Sequence, residues 1–323
     1  MSELLVFSNY SMGFKENNKV VNLIDNVSFA VSKLAAVGIV GESGCGKSMV
    51  SLSAMRLLPA NAIIQGGEIL LNGEDLLAKS ENQMQELRGK QISIIFQQPM
   101  SSLNPVLDIG FQMQEALTRH FPGTSKTEAD ETIALELRGV GIHDPAKTMR
   151  AYPHQLSGGM CQRVMIAMAT ICKPSLLIAD EPTTALDTTI QAQVLDLMAQ
   201  LKQKGSILLV THNLGVVAEI CDVVVVMYAG QVVETGKIED IFKNPQHPYT
   251  QGLLASVPTL TTKKSRLHTI QGSVPAIWDF AKGCRFHTRC AMAKSLCENE
   301  KPESCQAGSP GHIVACHVYG GYI

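Results

Sequence analysis

Apolar runs rich in Val and Ile alternate with amphipathic segments along most of this chain, the pattern of an α/β protein with a largely parallel sheet. Ala35–Val40 (AAVGIV) predicts a short buried strand running into a glycine-rich turn. Ser48 to Leu58 then reads as a helix stopped by Pro59. Ile92–Phe96, Leu176–Ala179 and Ile207–Val210 predict further buried strands, and Gly67–Gly73 and Gly230–Gly236 predict turn-bounded edge strands. From about Val106 to Tyr152 the β pattern gives way to helical spacing, in Gln112–His120 and Glu128–Leu137. That predicts a helical subdomain inserted into the α/β core. After Gly236 the texture changes: Pro245, Pro248, Pro258 and Pro275 punctuate short helices, which places a domain boundary near residue 236. There is no tandem repeat of a solenoid period.

Composition narrows the class. The 323 residues are 45% apolar, enough to bury a substantial core. A formal net charge of −2 argues against nucleic-acid binding on a broad basic face, and the short cluster Lys263, Lys264 and Arg266 reads as a solvated linker. The start, MSELLVFSNY, lacks the basic and apolar regions of a secretory signal. No stretch reaches the ~18 uninterrupted apolar residues needed to span a bilayer. The most apolar region, Ser206 to Gly230, is broken by His212, Asn213, Glu219 and Asp222 and reads as strand, helix, strand. Any membrane link is therefore expected to run through partner proteins.

Two motifs carry chemistry. GESGCGKS, Gly41 to Ser48, fits G-x-x-x-x-G-K-[ST] and lies between a predicted strand and a predicted helix. Glycines there let backbone N–H groups close on phosphate oxygens, and the helix N-terminus adds partial positive charge. Gly41, Ser43, Gly44, Cys45, Gly46 and Met49 belong to that cradle. Lys47 is expected to reach the β- and γ-phosphates, and the Ser48 hydroxyl to ligate Mg²⁺. The second motif is LLIADEP, Leu176 to Pro182, an apolar strand ending in two acids. Asp180 suits the Mg²⁺ shell and Glu181 suits a general base that takes a proton from attacking water.

QLSGGMCQR, Gln155 to Arg163, resembles the signature of ABC-type ATPases, and the remaining family pieces follow in order. Gln97 resembles the Q-loop glutamine, which is also implied in the Mg²⁺ site. Ala185-Leu186-Asp187 resembles the D-loop, and His212, after the strand ILLV, the switch histidine. Phe14 resembles the aromatic that stacks on adenine, although a strand-edge core aromatic is the alternative. Ser157, Gly158 and Gly159 open a helix and so form another anion site, which in the family meets ATP bound to the opposite subunit. The resemblance implies a P-loop, RecA-like ABC ATPase core in residues 1–236. It includes a helical subdomain over about 98–160 and an antiparallel β subdomain.

IFQQPMSSLNP, VMYAGQVVETG and NPQHPYTQGLLASVP narrow the resemblance to ATPase subunits of dipeptide, oligopeptide and nickel importers. Residues 237–323 then form the family's C-terminal extension. The implied machine is peripheral to the cytoplasmic face of the inner membrane. It pairs this chain with a second, non-identical ATPase, two membrane permease subunits and an extracytoplasmic binding protein, with no nucleic acid involved. Nickel or metallophore chelates are the alternative cargo. A non-transport ABC ATPase of DNA repair or translation is the alternative class, against which stand the single cassette and the absence of heptads. Two positions depart from the family: Gln98 replaces a common acid, and Lys33-Leu34-Ala35 replaces a Gly-Glu turn, where Leu34 adopts φ > 0 less cheaply than glycine.

Of nine cysteines, Cys45, Cys161, Cys172 and Cys221 are scattered, whereas Cys284, Cys290, Cys297, Cys305 and Cys316 crowd the last forty residues. Disulfides are disfavoured in a reducing compartment, and close C-x₂₋₄-C pairs typical of zinc are missing. The tail GCRFHTRC…C…ACH resembles the segment associated with a [4Fe–4S] cluster in similar subunits. That implies ligation by Cys284, Cys290, Cys297 and Cys316, with Cys305 as the alternative fourth ligand.

Overall fold

The computed structural model describes residues 2–16, 19–184, 186–257 and 269–319; Ala185, Pro258, Lys263, Lys264 and Arg266 lie outside them. Its strands, in chain order, are β1 (Glu3–Glu16), β2 (Lys19–Ser32), β3 (Ala36–Val40), β4 (Ala62–Leu71), β5 (Glu74–Asp75), β6 (Ile92–Ile95), β7 (Leu176–Asp180), β8 (Ser206–Thr211), β9 (Val223–Tyr228), β10 (Gln231–Lys237), β11 (Ser304–Gln306) and β12 (Ile313–Ala315). The chain divides into two compact units. Met1–Ser32, Ala36–Leu77 and Leu209–Ile323 make one; Lys33–Ala35 and Ala78–Leu208 make the other.

The first unit holds a four-stranded antiparallel sheet of order β2-β1-β4-β5. Phe7 stacks on Phe29 at 4.8 Å and meets the Tyr10 ring edge-on at 5.5 Å, anchoring its buried face. The pairing of β1 with β2 shifts register four times, between Glu3 and Leu5 and again between Phe7 and Gly13. Asn9 and Asn26, both at positive φ, sit in this irregular stretch, where Asn tolerates the left-handed region better than most residues. The same unit carries the strand run β11-β12-β10-β9-β3, in which β3 pairs with β9 in parallel and the rest are antiparallel. β3 is buried along its whole length, as an uninterrupted Val/Ile strand of a parallel sheet should be.

Three sequence expectations change here. The segment 67–73 falls largely in β4, which lies between β1 and β5 instead of at an edge. Likewise β10 lies between β9 and β12, because Glu234 and Thr235 pair with Val314 and Ile313 from far along the chain. The helix after the glycine-rich loop, Lys47–Met55, stops short of Pro59. Arg56 takes φ 50 and the Leu57 N–H returns to the Leu52 carbonyl, a left-handed helix end.

In the second unit β6 and β7 run parallel as neighbours. Its helices Ile109–His120, Lys126–Gly139, Pro145–Met149, Gly158–Thr170 and Thr188–Lys202 start after Asp108, Ser125, Asp144, Ser157 and Asp187. Each of these side chains accepts a first-turn N–H, which is why the polar residue before each apolar stretch marks its start. Ser125 and Glu128 form a full capping box. Among the described residues, no helix is long and apolar enough to cross a membrane.

Candidate functional site

The first unit carries the glycine-rich loop between β3 and the helix Lys47–Met55. Gly44 and Gly46 take φ 82 and 99, and a Cβ on Gly41 would lie 2.2 Å from the Met227 carbonyl oxygen. These glycines are therefore required by backbone conformation and by close approach to β9. The helix begins after Gly46, in the left-handed region, with no side-chain cap on its first turn, the kind of helix start that suits an anion. Lys47 is only 5% exposed, and its ammonium donates to the carbonyls of Gly41 at 2.8 Å and Glu42 at 3.0 Å. Cys45 is buried behind it, while Ser43 and Gly44 are exposed and Ser48 and Met49 are half-buried. Phe14 is half-buried on β1, opposite Val21 on β2 and Ala62 on β4. His212, directly after β8, is exposed.

The second unit gathers another set. Asp180 ends β7 and is buried. Glu181 follows at φ 47, left-handed for a non-glycine residue, a strained conformation of the kind found at functional sites. Its carboxylate accepts from Gln97 Nε2 at 2.9 Å and from Thr184 Oγ1 at 2.8 Å, on the same oxygen. Ser157 caps the helix Gly158–Thr170, and Gly159 packs on Ile190, a Cβ there coming within 3.1 Å of it. Ile190 also donates its N–H to Asp187, so Asp187 serves as the cap of the helix Thr188–Lys202. Sequence reasoning missed Thr184, a partner readable only from the local turn.

The extension adds a third constellation. All nine cysteines are free thiols. Burial raises the Cys284 thiol to about 11, and the thiols of Cys297, Cys316 and Cys290 beside it push further in the same direction. Burial likewise raises Cys290, with Cys297 adding to it, and Cys316, with Cys290 and Cys297 adding to it. The Cys284 N–H donates to the Cys297 carbonyl at 2.8 Å, which ties these two segments of the tail together. Cys305 lies on β11, with its thiol directed to the Val314 carbonyl at 3.5 Å. Among the described residues, no group of three or more His, Cys, Asp or Glu side chains is placed to hold a metal ion.

Two residues outside these readings bear on the phosphate loop. Arg289, between Cys284 and Cys290, makes a two-pronged ion pair with Glu42, and Tyr249 Oη accepts the Glu42 N–H at 2.9 Å. Their partners lie more than 200 residues apart along the chain, and no local pattern announces them.

A family model described as ABC transporter matches residues 24–184, and one described as the oligopeptide/dipeptide transporter C-terminal region matches residues 233–297. The dipeptide transport ATP-binding protein DppD of Haemophilus influenzae is 46% identical over 317 residues, covering 98% of this chain and 95% of that protein. The oligopeptide transport ATP-binding protein AppD of Bacillus subtilis is 48% identical over 322 residues, covering 99% of this chain and 98% of its own. Among solved structures, the dimeric structure of MJ0796, a bacterial ABC transporter cassette, matches with a TM-score of 0.65 and 25% identity. It covers 73% of this chain and 99% of that one. The glycine-rich loop, the acid-ended strand and the signature helix are therefore those of an ATPase, and the chain belongs to the ATP-binding subunits of the oligopeptide/dipeptide ABC transporter family.

Proposed function

We propose that this chain binds and hydrolyses ATP to power the import of dipeptides or oligopeptides. One observation carries the reading best: a buried Lys47 ammonium parked on loop carbonyls, beside an uncapped helix start. A lysine held there by neutral acceptors alone is poised for an anion, and phosphate is the anion that such a loop fits. Ser48, Asp180 and Gln97 would hold Mg²⁺, which supplies charge neutralisation at the phosphates. Glu181, steadied by Gln97 and Thr184, is suited to take the proton of the attacking water. His212 and Gln97 are assigned to sensing the γ-phosphate, and Phe14 to stacking on the base. The helix start at Ser157, Gly158 and Gly159, its first two residues exposed, with Asp187, is assigned to ATP held by an opposing ATPase subunit. Residues 1–236 would form the ATPase domain, with its helical subdomain at about 98–160, and residues 237–323 the extension.

Glu181→Gln tests the mechanism. It should retain ATP binding and lower hydrolysis by roughly 10²–10⁴. Wild-type turnover in that variant would refute the assignment. Two permease subunits, a second and non-identical ATPase, an extracytoplasmic binding protein and a station at the inner face of the membrane complete the proposed machine. Copurification with the permeases tests this against a non-transport role.

The crowding of Cys284, Cys290, Cys297 and Cys316 in the extension, each at least half-buried, supports a [4Fe–4S] cluster. A cluster of this kind would be held by Cys284, Cys290, Cys297 and Cys316 as thiolates. The donor set is all sulfur, as such clusters need, and burial of the thiols makes deprotonation without a metal unfavourable. Oxygen-free purification should give a brown protein containing iron and sulfide, with Cys284→Ser losing both. A colourless, iron-free wild-type preparation would sink the cluster reading.

A further inference from the structure

Glu42 is an acid inside a loop read as a cradle for a polyanion. Its neutralisation comes from the extension. Arg289 Nη1 meets Glu42 Oε2 at 2.7 Å and Nη2 meets Oε1 at 3.0 Å, a fork-on-fork pair with the arginine side chain 5% exposed. Arg289 is itself locked: Nε donates to the Gln271 carbonyl at 2.8 Å, Nη2 to the Gly272 carbonyl at 3.2 Å, and the guanidinium lies over the Tyr228 ring at 5.6 Å. The remaining polar groups of Glu42 are also held, its N–H by Tyr249 and its carbonyl by Lys47. Without Arg289, an uncompensated carboxylate would stand beside the bound phosphates and repel them.

We infer that Arg289 is a positioning residue for the phosphate loop. By neutralising and orienting Glu42, it makes nucleotide affinity depend on the cysteine-bearing turn of the extension. That turn is short and tied: the His287 N–H bonds the Cys284 carbonyl at 3.1 Å, and the Cys290 N–H bonds the His287 carbonyl at 3.2 Å. Whatever displaces Cys284 or Cys290 therefore displaces Arg289. The inference rests on the reading of Gly41–Ser48 as the phosphate site.

The experiment is a titration of the full-length chain with a fluorescent ATP analogue, with ATP KM and kcat measured in the assembled transporter. Arg289→Met should weaken binding about tenfold, a typical coupling between linked sites, with KM rising more than kcat falls. Adding Glu42→Gln to it should recover most of that loss, since the unpaired charge is then gone. A bracing role alone would leave the double variant as weak as Arg289→Met or weaker, and that result overturns the inference. So does wild-type binding by Arg289→Met. Should Arg289→Met not fold, Arg289→Lys carries the test. It keeps the charge without the fork that orients the carboxylate, so it should bind a few-fold more weakly than wild type, and Glu42→Gln, which leaves no misplaced carboxylate beside the phosphates, should restore binding. Absence of rescue overturns the inference. Lys47→Ala serves as the control on the underlying reading: it should abolish binding, and normal binding there would overturn the phosphate-site reading itself.

Discussion

Leu34 stands at φ 58 with its side chain 64% exposed, so the turn before β3 gains no burial from a residue it strains. For an L-residue that conformation costs about 1–2 kcal/mol, while glycine loses about 0.5–1 kcal/mol more chain entropy on folding. The hydrogen bond from the Leu34 N–H to Ser206 Oγ at 2.9 Å is backbone-donated and survives any substitution but proline. Leu34→Gly is thus expected to stabilise the chain by about 0.5–1 kcal/mol, read as a rise of a few degrees in the thermal midpoint. Glu181 bears the same kind of strain at φ 47, but its carboxylate is engaged by two donors, so relieving the strain there would remove chemistry with it. The departure at Leu34 was legible in the sequence, because a bulky residue stood where a turn glycine is usual. The strain at Glu181 was not, since nothing in LLIADEP distinguishes a strained acid from a relaxed one.

At the scale of elements, the helix Pro248–Ala255 starts from an unusual cap. His247 is buried, its Nδ1 accepts the Tyr249 N–H at 3.0 Å, and its Nε2 meets no partner. Burial pushes its pKa down from 6.5 to about 3, so the folded chain keeps the ring neutral. Between those values the unfolded chain binds a proton that the folded chain refuses. The contribution of His247 is therefore complete above pH 6.5 and is lost as pH falls toward 3, on the order of 2 kcal/mol by pH 4.5. Urea unfolding from pH 7 to 4.5 should show a shallower loss of stability in His247→Gln than in the wild type. Equal slopes would contradict the assignment. Elements with a strong local pattern were readable: the strand foreseen at Ala35–Val40 appears as Ala36–Val40, and the helix foreseen at Gln112–His120 extends back only to Ile109. β1 and β2 were hidden because their register shifts break the two-residue alternation that announces a strand. The partner of β10 was hidden because pairing between distant segments leaves no mark on either segment alone.

At the scale of the molecule, the extension is sewn into the first unit at separate points. Arg285 reaches Asp25 at 3.2 Å and also donates to the Ala229 carbonyl, while Lys301 reaches the same Asp25 oxygen at 2.6 Å. Burial alone would raise the Asp25 carboxyl, but Lys301, Arg285 and Gln231 together hold it below its ordinary value. Glu234 is buried on β10, accepting the N–H groups of Gln246 and His247 and meeting His312 Nε2 at 2.7 Å. His312 follows Glu234 by 78 residues, so a ribosome making 5–20 residues per second needs roughly 4–16 s to supply β10 with its neighbour. Through that interval the outer edge of β10 is a row of unpaired amides that any extended chain could join. A carboxylate in the middle of such an edge deters the intruder, because the incoming strand would bury an unneutralised charge. Glu234, already engaged by the N–H groups of Gln246 and His247, gains His312 as its buried partner only once the last residues have emerged.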